Sequence, residues 1–508
     1  AYALAVVDPC CGNIGGGGFI LVRMHDGRER FIDFREKAPL RAYPSMFLDK
    51  DGNVIPAAST KGYLSAGVPG TVLGLERARV EFGTLPRGVL MAAAIRLARN
   101  GYIVDAGDAA IYADARENFR DRNVRAIFAR NGRLPQAGDL LKQPQLAETL
   151  QSIAAGGAAA FYHGAIARAI VSASYRHGGM FSMDDFARYE VTEPQPVHCR
   201  YHDYEIISAP PPSSGGVVLC EMLGVLEGFP LARSGWQTAA SAHDLAETER
   251  RAYADRNAYL GDPAFVRNPV AQLLSPQYEA RLRASIAPDK ATPSSQIQPG
   301  LGAPEHENDQ TTHFSVVDGA GNAVALTYTI NDSFGAGVIA GSTGFFLNDE
   351  MDDFTAKPGK PNLYGLVQGA RNDVRGGKRP LSSMTPTIVL HDGKLFMVTG
   401  SPGGSRIPTI VLSTLLNAID YGMDVQRAVD APRLHMQWLP DEIQYEPGAL
   451  SADAVAHLQA MGYTLHEIPS WGEAEAIVVA PSGERFGGSD RRRSSGSAAG
   501  IDCGQCRL

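Results

Sequence analysis

The sequence predicts a layered α/β fold of the α+β kind, in which strands are sandwiched between helices. Three observations support this prediction. The segment before residue 293 is rich in apolar residues at helical spacing, and the segment after residue 310 is rich in short strand-like runs. An irregular stretch with many Pro, Gly, Ser and Gln residues, Pro293–Gln310, lies between them. Strands accompanied by helices bury their apolar faces as stacked layers.

The first half is predicted to be mainly helical. Thr71–Val80 and Gly88–Asn100 carry apolar residues at helical spacing, and Gly101 is a suitable C-terminal stop for the second helix. Ala239–Tyr259 is predicted to be a long amphipathic helix. Its solvent-facing side is predicted to carry four charged residues: Glu247, Glu249, Arg250 and Arg251.

Strands and helices are predicted to alternate in the second half. His313–Val317 and Ala323–Thr329 flank a short loop that contains glycine, Asp318–Asn322, and this arrangement is typical of a β-hairpin. Further strands are predicted at Thr387–Leu390, Leu395–Thr399 and Ala476–Ala480, and further helices at Thr409–Tyr421 and Ser451–Met461. In the last helix Ser451 is a suitable N-cap, and Gly462 a suitable stop. The tail Gly487–Leu508 looks irregular.

The composition is that of a large globular chain. Of its 508 residues 44% are hydrophobic and 20% are charged, and the formal net charge is -8. No long stretch is dominated by Lys and Arg, which argues against nucleic acid as a partner. The longest apolar runs, such as Ile410–Leu416, are far shorter than the roughly 18 residues of a membrane span. No membrane-spanning segment is therefore predicted.

The cysteines and the N-terminus allow limited predictions. The six cysteines, at positions 10, 11, 199, 220, 503 and 506, show no framework spacing, so their pairing cannot be deduced. Adjacent cysteines rarely bond to each other, and we expect Cys10 and Cys11 to be buried thiols. Cys503 and Cys506 have redox spacing but lack a strand–helix context. The chain starts at Ala1 rather than Met, so a mature or truncated form is expected, and no signal peptide is visible in it.

The segment Asn308–Ser315 is the candidate for catalysis. Taken alone, a polar stretch that runs into two threonines is most simply a strand start, because threonine favours strands. The functional hypothesis is that the chain is cut before Thr311. Thr311 would then carry both a hydroxyl nucleophile and, in its free α-amine, a general base whose pKa lies near 8.

Several motifs, in order along essentially the whole chain, resemble those of the γ-glutamyltranspeptidase family. They are Gly15–Phe19, Asp33–Pro39, Pro210–Gly216, Tyr253–Arg256, Gln310–Asp318, Gly321–Ala325, Thr327–Asn331, Asn348–Phe354, Lys378–Pro386 and Gly400–Arg406. The resemblance implies the four-layer αββα sandwich of the N-terminal nucleophile hydrolases. It also implies a large subunit, residues 1–310, and a small catalytic subunit, residues 311–508, cut from one precursor.

The resemblance further implies a role for each site residue. Thr311 is the nucleophile, Thr329 orients it, and the backbone N–H groups of Gly403 and Gly404 stabilise the oxyanion. Six residues hold the zwitterionic end of the substrate: Arg35, Ser382 and Ser383 its carboxylate, and Asn331, Glu350 and Asp353 its ammonium. Tyr364 lies in a segment, Lys357–Gly369, that resembles a lid loop.

The resemblance implies a γ-glutamyltranspeptidase or glutathione hydrolase that needs no cofactor. Its partners are glutathione and other γ-glutamyl compounds as donors, and water, amino acids or dipeptides as acceptors. The expected location is periplasmic or secreted. Two alternatives stay open: a cephalosporin (glutaryl) acylase of the same superfamily, and an uncleaved, inactive relative that acts as a binding protein.

Two other features are set aside. Gly15–Gly18 lacks the Gly-Lys-Ser/Thr continuation of a phosphate loop, and more simply lets two backbones pack closely near the site. Glu305, Glu307 and two nearby histidines, His306 and His313, could be imagined as metal ligands. They lack a second spaced pair, so no metal site is predicted.

Overall fold

Two antiparallel sheets face each other at the centre of the computed structural model, which describes residues 1–129, 132–299, 311–357, 369–493 and 496–501. The strands are β1 (Gly17–Arg23), β2 (Glu29–Asp33), β3 (Tyr102–Ile103), β4 (Leu140–Leu141), β5 (Val197–Tyr201), β6 (Tyr204–Ser208), β7 (Thr312–Val317), β8 (Ala323–Thr329), β9 (Thr387–His391), β10 (Lys394–Gly400), β11 (Leu434–His435), β12 (Ile443–Tyr445), β13 (Leu465–Glu467), β14 (Glu475–Val479) and β15 (Arg485–Ser489).

The helices lie mainly on the outer faces of the two sheets. They are α1 (Leu4–Val7), α2 (Thr71–Phe82), α3 (Arg87–Asn100), α4 (Ala106–Asp114), α5 (Arg122–Phe128), α6 (Pro144–Gly156), α7 (Ala158–Tyr162), α8 (Ala165–Arg176), α9 (Met183–Ala187), α10 (Gly215–Leu226), α11 (Leu231–Ser234), α12 (Ala239–Tyr259), α13 (Val270–Leu273), α14 (Pro276–Ala284), α15 (Ile407–Ile419), α16 (Val425–Asp430) and α17 (Ala452–Ala460).

Both central sheets combine strands from before and after Thr311. The smaller sheet has the order β2-β1-β8-β7, and the larger has the order β15-β14-β10-β9-β6-β5. Strands β1, β2, β5 and β6 come from the half that the sequence pattern predicts to be mainly helical. In β1 every residue from Gly17 to Val22 is buried, so the strand shows no alternation of polar and apolar residues that could reveal it. The two halves therefore form one core.

The layers follow the order helix, sheet, sheet, helix. Helix α2 packs on β1 and β2 of the smaller sheet, while α10 and α15 pack on the larger one. The main core joins side chains from both sheets, such as Phe19 on β1 and Met397 on β10, to buried residues of the covering helices such as Leu219 and Leu415. The predicted four-layer αββα sandwich is confirmed.

The predicted elements of the second half are confirmed with small shifts of their ends. The hairpin is β7 and β8, with Thr312 opposite Tyr328 and Val317 opposite Ala323. Its loop is closed by the Asp318 carboxylate, which accepts hydrogen bonds from the backbone N–H groups of Ala320 and Asn322. Helix α17 begins as predicted, because the Ser451 hydroxyl accepts a hydrogen bond from Ala454 N–H.

Helix α12 is confirmed over Ala239–Tyr259. The prediction that its charged residues face solvent is wrong. The charged residues at 247, 249, 250 and 251 are all buried. Arg251 Nη1 lies 2.6 Å from Glu247 Oε2, and Arg250 is paired with Asp441. Glu249 accepts a hydrogen bond of 2.7 Å from the backbone of Met436. Since these charges are satisfied inside the protein, their presence did not indicate exposure.

The prediction of free thiols at Cys10 and Cys11 is also wrong. The two residues are buried as expected, but they are joined to each other by a disulfide. A second disulfide joins Cys199 on β5 to Cys220 on α10. Cys503 and Cys506 lie outside the described residues. Within the described part of the chain, no helix is both long enough and apolar enough to cross a membrane.

Candidate active site

Thr311 lies at the head of β7, between the two sheets. Because Thr312 stands opposite Tyr328, the next pair along the hairpin is Thr311 and Thr329. Thr311 is only 4% exposed, and the hydroxyl of Thr329 accepts a hydrogen bond of 2.8 Å from the backbone N–H of Asn331. The hairpin thus brings the predicted nucleophile beside its predicted orienting residue.

The glycine stretch before β1 packs against this hairpin. A Cβ atom at Gly16 would lie 1.8 Å from the carbonyl oxygen of Thr329, and one at Gly18 would lie 2.3 Å from that of Thr327. No side chain fits at such distances, so glycine is required for β1 to approach β8 this closely. The close backbone packing expected for Gly15–Gly18 is confirmed.

A small cavity of about 20 Å³ collects most of the predicted site residues. A space of this size holds about one water molecule. Its lining combines the two threonines, the predicted binding residues for both substrate charges, one glycine of the oxyanion loop and two apolar side chains. These residues are Arg35, Thr311, Thr329, Asn331, Glu350, Asp353, Ser382, Ser383, Met384, Gly404 and Ile407.

The predicted oxyanion glycines form the turn that joins β10 to α15. Gly403 has a φ of 140° and Gly404 a φ of 46°, conformations that residues with a side chain rarely adopt. A Cβ at Gly403 would also lie 2.6 Å from Ile410. Gly404 lines the cavity with Thr311, whereas Gly403 is not among the lining residues. Backbone N–H groups at such a turn, next to the start of a helix, suit a developing negative charge.

Arg35 is the centre of a buried ion cluster. Its guanidinium donates hydrogen bonds to Glu350 and Asp353, and lies 3.6 Å from the carboxylate of Glu36. A further bond of 3.3 Å from Nε to the carbonyl oxygen of Pro380 fixes the plane of the guanidinium. The structure therefore places the predicted carboxylate-binding arginine in direct contact with two predicted ammonium-binding residues.

The carboxyl groups of this cluster titrate unusually. Burial raises the pKa of Glu350 and of Asp353, although the charge of Arg35 opposes the shift. Burial also raises the pKa of Glu36 to about 8, against the same opposition. For Arg35 itself, burial alone would lower the pKa, but the three carboxylates together raise it, so the guanidinium stays charged. The cluster is thus short of positive charge.

Ser382 and Ser383 lie in a segment held by the predicted Pro210–Gly216 motif. The carbonyl oxygen of Ser382 accepts hydrogen bonds from the backbone and the hydroxyl of Ser214, at 2.6 and 2.7 Å. The hydroxyl of Ser383 accepts a bond of 3.0 Å from the guanidinium of Arg256. These contacts fix the backbone of Ser382 and the side chain of Ser383 at the cavity wall.

Two residues for which the sequence predicted no role, Arg256 and Tyr253, make contacts near the site. Arg256 is buried, which lowers its pKa to about 10, and it binds Ser383 and Ser214. The hydroxyl of Tyr253 donates a hydrogen bond to the carbonyl oxygen of Ser405, next to the oxyanion glycines. Both residues belong to Tyr253–Arg256, one of the motifs that resemble the γ-glutamyltranspeptidase family. That position in a motif was the sequence feature that could have indicated their role.

The residues considered as metal ligands and the residue of the predicted lid do not line the small cavity or are not described by the structure. Burial lowers the pKa of His313 to about 3, so its ring is neutral at ordinary pH. One ring nitrogen lies 2.8 Å from the Thr327 hydroxyl and the other lies 3.1 Å from the Ser315 hydroxyl. Tyr364, Glu305, His306 and Glu307 lie outside the described residues.

A threonine at a strand head between two stacked sheets, beside a glycine turn, defines the class of N-terminal nucleophile hydrolases. The family model described as Gamma-glutamyltranspeptidase matches residues 1–500. A relative named "Glutathione hydrolase proenzyme", from Pseudomonas sp. strain A14, is 50% identical over 510 residues, covering 98% of this chain and 88% of its own. The chain therefore belongs to the γ-glutamyltranspeptidase family, as the motifs predicted, and is an enzyme.

Solved structures agree with this assignment. The γ-glutamyltranspeptidase of Helicobacter pylori matches at 44% identity with a TM-score of 0.58, over 59% of this chain and 87% of that one. A cephalosporin acylase from Bacillus halodurans matches at 26% identity with a TM-score of 0.84, over 97% of this chain and 88% of that one. Since both have this fold, the fold alone does not separate the two substrate classes.

Proposed function

We propose that this chain cleaves itself before Thr311 and then transfers or hydrolyses γ-glutamyl groups through an ester on the Thr311 hydroxyl. The products of cleavage are a large subunit, residues 1–310, and a small subunit, residues 311–508. The observation that carries the proposal is the convergence of Thr311, Thr329 and the six predicted binding residues on one cavity. The "proenzyme" in the names of its relatives supports cleavage of a precursor.

The proposed reaction has two acyl-transfer steps. The Thr311 hydroxyl attacks the γ-carbonyl carbon while its own α-amine accepts the proton. The backbone N–H groups of Gly403 and Gly404 stabilise the oxyanion, a contribution of about 3–4 kcal/mol for each donor. The amine portion leaves with a proton, and a γ-glutamyl ester of Thr311 remains. Water or the amine of an amino acid or dipeptide then attacks the ester and restores the hydroxyl.

Selection of the γ-glutamyl group is proposed to rest on its zwitterion. The α-carboxylate binds Arg35, Ser382 and Ser383, and the α-ammonium binds Asn331, Glu350 and Asp353. In the structure Arg35 is bonded to Glu350 and Asp353. An entering zwitterion replaces these contacts with a carboxylate for Arg35 and an ammonium for the acids, so each charge keeps a partner.

Glutathione and related γ-glutamyl amides are the proposed donors. A glutaryl group, the side chain of the rival acylase activity, lacks the ammonium and would leave the buried acids Glu350 and Asp353 uncompensated. A site built for a polar group can reject an analogue that lacks it by roughly 10⁴–10⁵-fold. The acid-rich cluster around Arg35 therefore favours the glutamyl group over the glutaryl group.

Two further parts of the proposal concern the lid and the location. Tyr364 is proposed to shield the ester from water, so that Tyr364→Ala raises hydrolysis relative to transfer; unchanged kinetics would exclude this role.

A periplasmic or secreted location is supported by the disulfides Cys10–Cys11 and Cys199–Cys220, because disulfides persist in oxidising compartments.

Gel electrophoresis of purified protein tests the cleavage. Prorating 54.2 kDa over 310 and 198 residues predicts two bands, of about 33 and 21 kDa. Thr311→Ala should give one uncut band and no release of anilide from γ-glutamyl-anilide. Thr312→Ala is the matched control, since it removes the neighbouring hydroxyl, which bonds to Asp8, and leaves the nucleophile. A wild-type protein that stays in one piece would contradict the proposal and favour an inactive relative.

A further inference from the structure

The disulfide between Cys10 and Cys11 lies directly behind the segment that carries Asn331. The carbonyl oxygen of Cys11 accepts a hydrogen bond of 3.2 Å from Ile330 N–H, and that of Cys10 accepts one of 2.7 Å from Phe334 N–H. Between these two bonds, Asn331 and Phe334 have φ values of 73° and 62°. Asparagine adopts such a conformation readily, but a bulky residue such as Phe334 holds it only when the surrounding structure imposes it. The Cys10 carbonyl, bonded to Phe334 N–H, is part of what imposes it here.

A bond between neighbouring cysteines closes a small ring that includes the peptide group joining them. That ring restricts the direction of the Cys10 carbonyl, which belongs to the peptide group inside it, whereas the Cys11 carbonyl belongs to the next peptide group, outside the ring. When the sulfurs separate, that peptide group regains its freedom and the hydrogen bond from Phe334 N–H to the Cys10 carbonyl weakens. The oxidation state of the pair is therefore coupled, through the contact between Cys10 and Phe334, to the segment that carries Asn331 of the active-site cavity.

The surroundings of the two sulfurs differ in charge. Arg493 Nη2 lies 3.1 Å from Cys11 Sγ and 3.9 Å from Cys10 Sγ. Asp8 Oδ1 lies 3.0 Å from Cys10 Sγ. A neighbouring cation stabilises a thiolate and a neighbouring carboxylate does not. When the disulfide opens, the negative charge is therefore best placed on Cys11.

A large cavity leads to this pair. It measures about 1260 Å³, and its walls include Asp8, Thr312, Glu473 and Arg493. Asp8 and Arg493 are the residues that touch the sulfurs, so they separate the disulfide from the cavity. The side chain of Arg493 is 24% exposed and is paired with Glu473 at 3.2 Å. Since Asp8 lies between the cavity and Cys10, a small thiol that reaches Cys10 passes Asp8 while Arg493 stays beside Cys11.

We propose that Cys10–Cys11 is a redox-active site that reacts with small thiols and that its state positions Asn331. One thiolate attacks Cys10 Sγ and forms a mixed disulfide, while Cys11 leaves as a thiolate beside Arg493. A second thiol attacks the mixed disulfide, which releases the oxidised small molecule and leaves two cysteine thiols. The pair gains two electrons and two protons, and two thiol molecules are oxidised. That glutathione serves as this thiol rests on the proposed function.

Differential alkylation tests the site without relying on activity. Native enzyme is treated with dithiothreitol, the freed thiols are blocked with iodoacetamide, and the modified peptides are identified by mass spectrometry. We expect Cys10 and Cys11 to be labelled under native conditions. If they stay unlabelled until the protein is unfolded, the redox site is excluded, whether or not the enzyme acts on γ-glutamyl compounds.

Kinetics of the same samples test the coupling to Asn331. Reduction should raise KM for γ-glutamyl-anilide by about fivefold, with a smaller change in kcat, and reoxidation should restore it. The double variant Cys199→Ala/Cys220→Ala, which lacks the other disulfide, should respond as the wild type does. The double variant Cys10→Ala/Cys11→Ala should have the raised KM permanently and ignore dithiothreitol. Labelled cysteines with an unchanged KM would contradict the positioning role.

Discussion

Two buried ion clusters in this protein differ in how well their charges are matched. In the first, around Arg433, two guanidiniums meet two carboxylates: Arg433 and Arg492 both bind Asp490, at 2.5 and 2.9 Å, and Arg492 also binds Glu446. In the second, around Arg35, one guanidinium is in direct contact with three carboxyls, those of Glu36, Glu350 and Asp353.

The titration of the two clusters reflects this difference. Burial would raise the pKa of Asp490, but Arg433 and Arg492 outweigh it and the pKa is lowered. Around Arg35 burial prevails, and the pKa values of Glu350 and Asp353 are raised although Arg256 also lies near Asp353. A balanced cluster stabilises the fold, whereas a cluster short of positive charge can accept a cationic ligand. We therefore attribute a structural role to the first and binding of the substrate ammonium to the second.

The largest expected effect is on activity, from Arg35→Gln. This variant removes the guanidinium proposed to bind the substrate carboxylate, and the acids around it can take up protons because their pKa values are already raised. We expect kcat/KM for γ-glutamyl-anilide to fall by about 10²–10³-fold, since loss of one partner of a buried charge pair costs roughly 2–5 kcal/mol. The urea midpoint of unfolding, measured on the same preparation, should change little.

Arg433→Gln is the matched change in the other cluster, and its effect should fall on stability. The variant leaves Asp490 with less compensation in a buried site, which typically costs about 3–5 kcal/mol. We expect a clearly lower urea midpoint and a kcat/KM close to wild type at temperatures where the protein is folded. If both variants lost activity and stability alike, the division between a structural and a binding cluster would be wrong.

The order of the motifs along the chain predicted the family and the layered fold, and it also named a set of candidate site residues. The threonines, glycines and binding residues stand in motifs whose order along the chain indicates the family, and most of them line one cavity. The burial of Glu247 and Arg251 was missed, because helical periodicity does not show that a charge finds its partner inside. Strand β1 was missed because it is buried on both faces, and the Cys10–Cys11 bond because spacing carries no information on redox state.

The smallest expected effect is the pH dependence of stability due to Glu36. Its pKa is raised from 4.5 to about 8, mainly by burial. Between these values the folded chain keeps a proton that the unfolded chain releases, so stability is full at the acid end and is lost as the pH rises towards 8. Glu36→Gln should remove this pH-dependent loss. The free energy of unfolding of wild type and variant is measured in urea at about pH 5 and about pH 8. If its change between the two pH values is the same in both proteins, Glu36 is ionised in the folded protein.

The most direct test of the ammonium-binding cluster compares two substrates on one enzyme. Release of anilide is measured from γ-glutamyl-anilide and from glutaryl-anilide, with and without a dipeptide acceptor, for the wild type and for Asp353→Asn. We expect fast release from the glutamyl compound alone, acceleration by the dipeptide, and a smaller preference for glutamyl in the variant, which has one carboxylate less for the ammonium. Faster release from the glutaryl compound by the wild type would contradict the proposed role of the acids around Arg35 and favour an acylase.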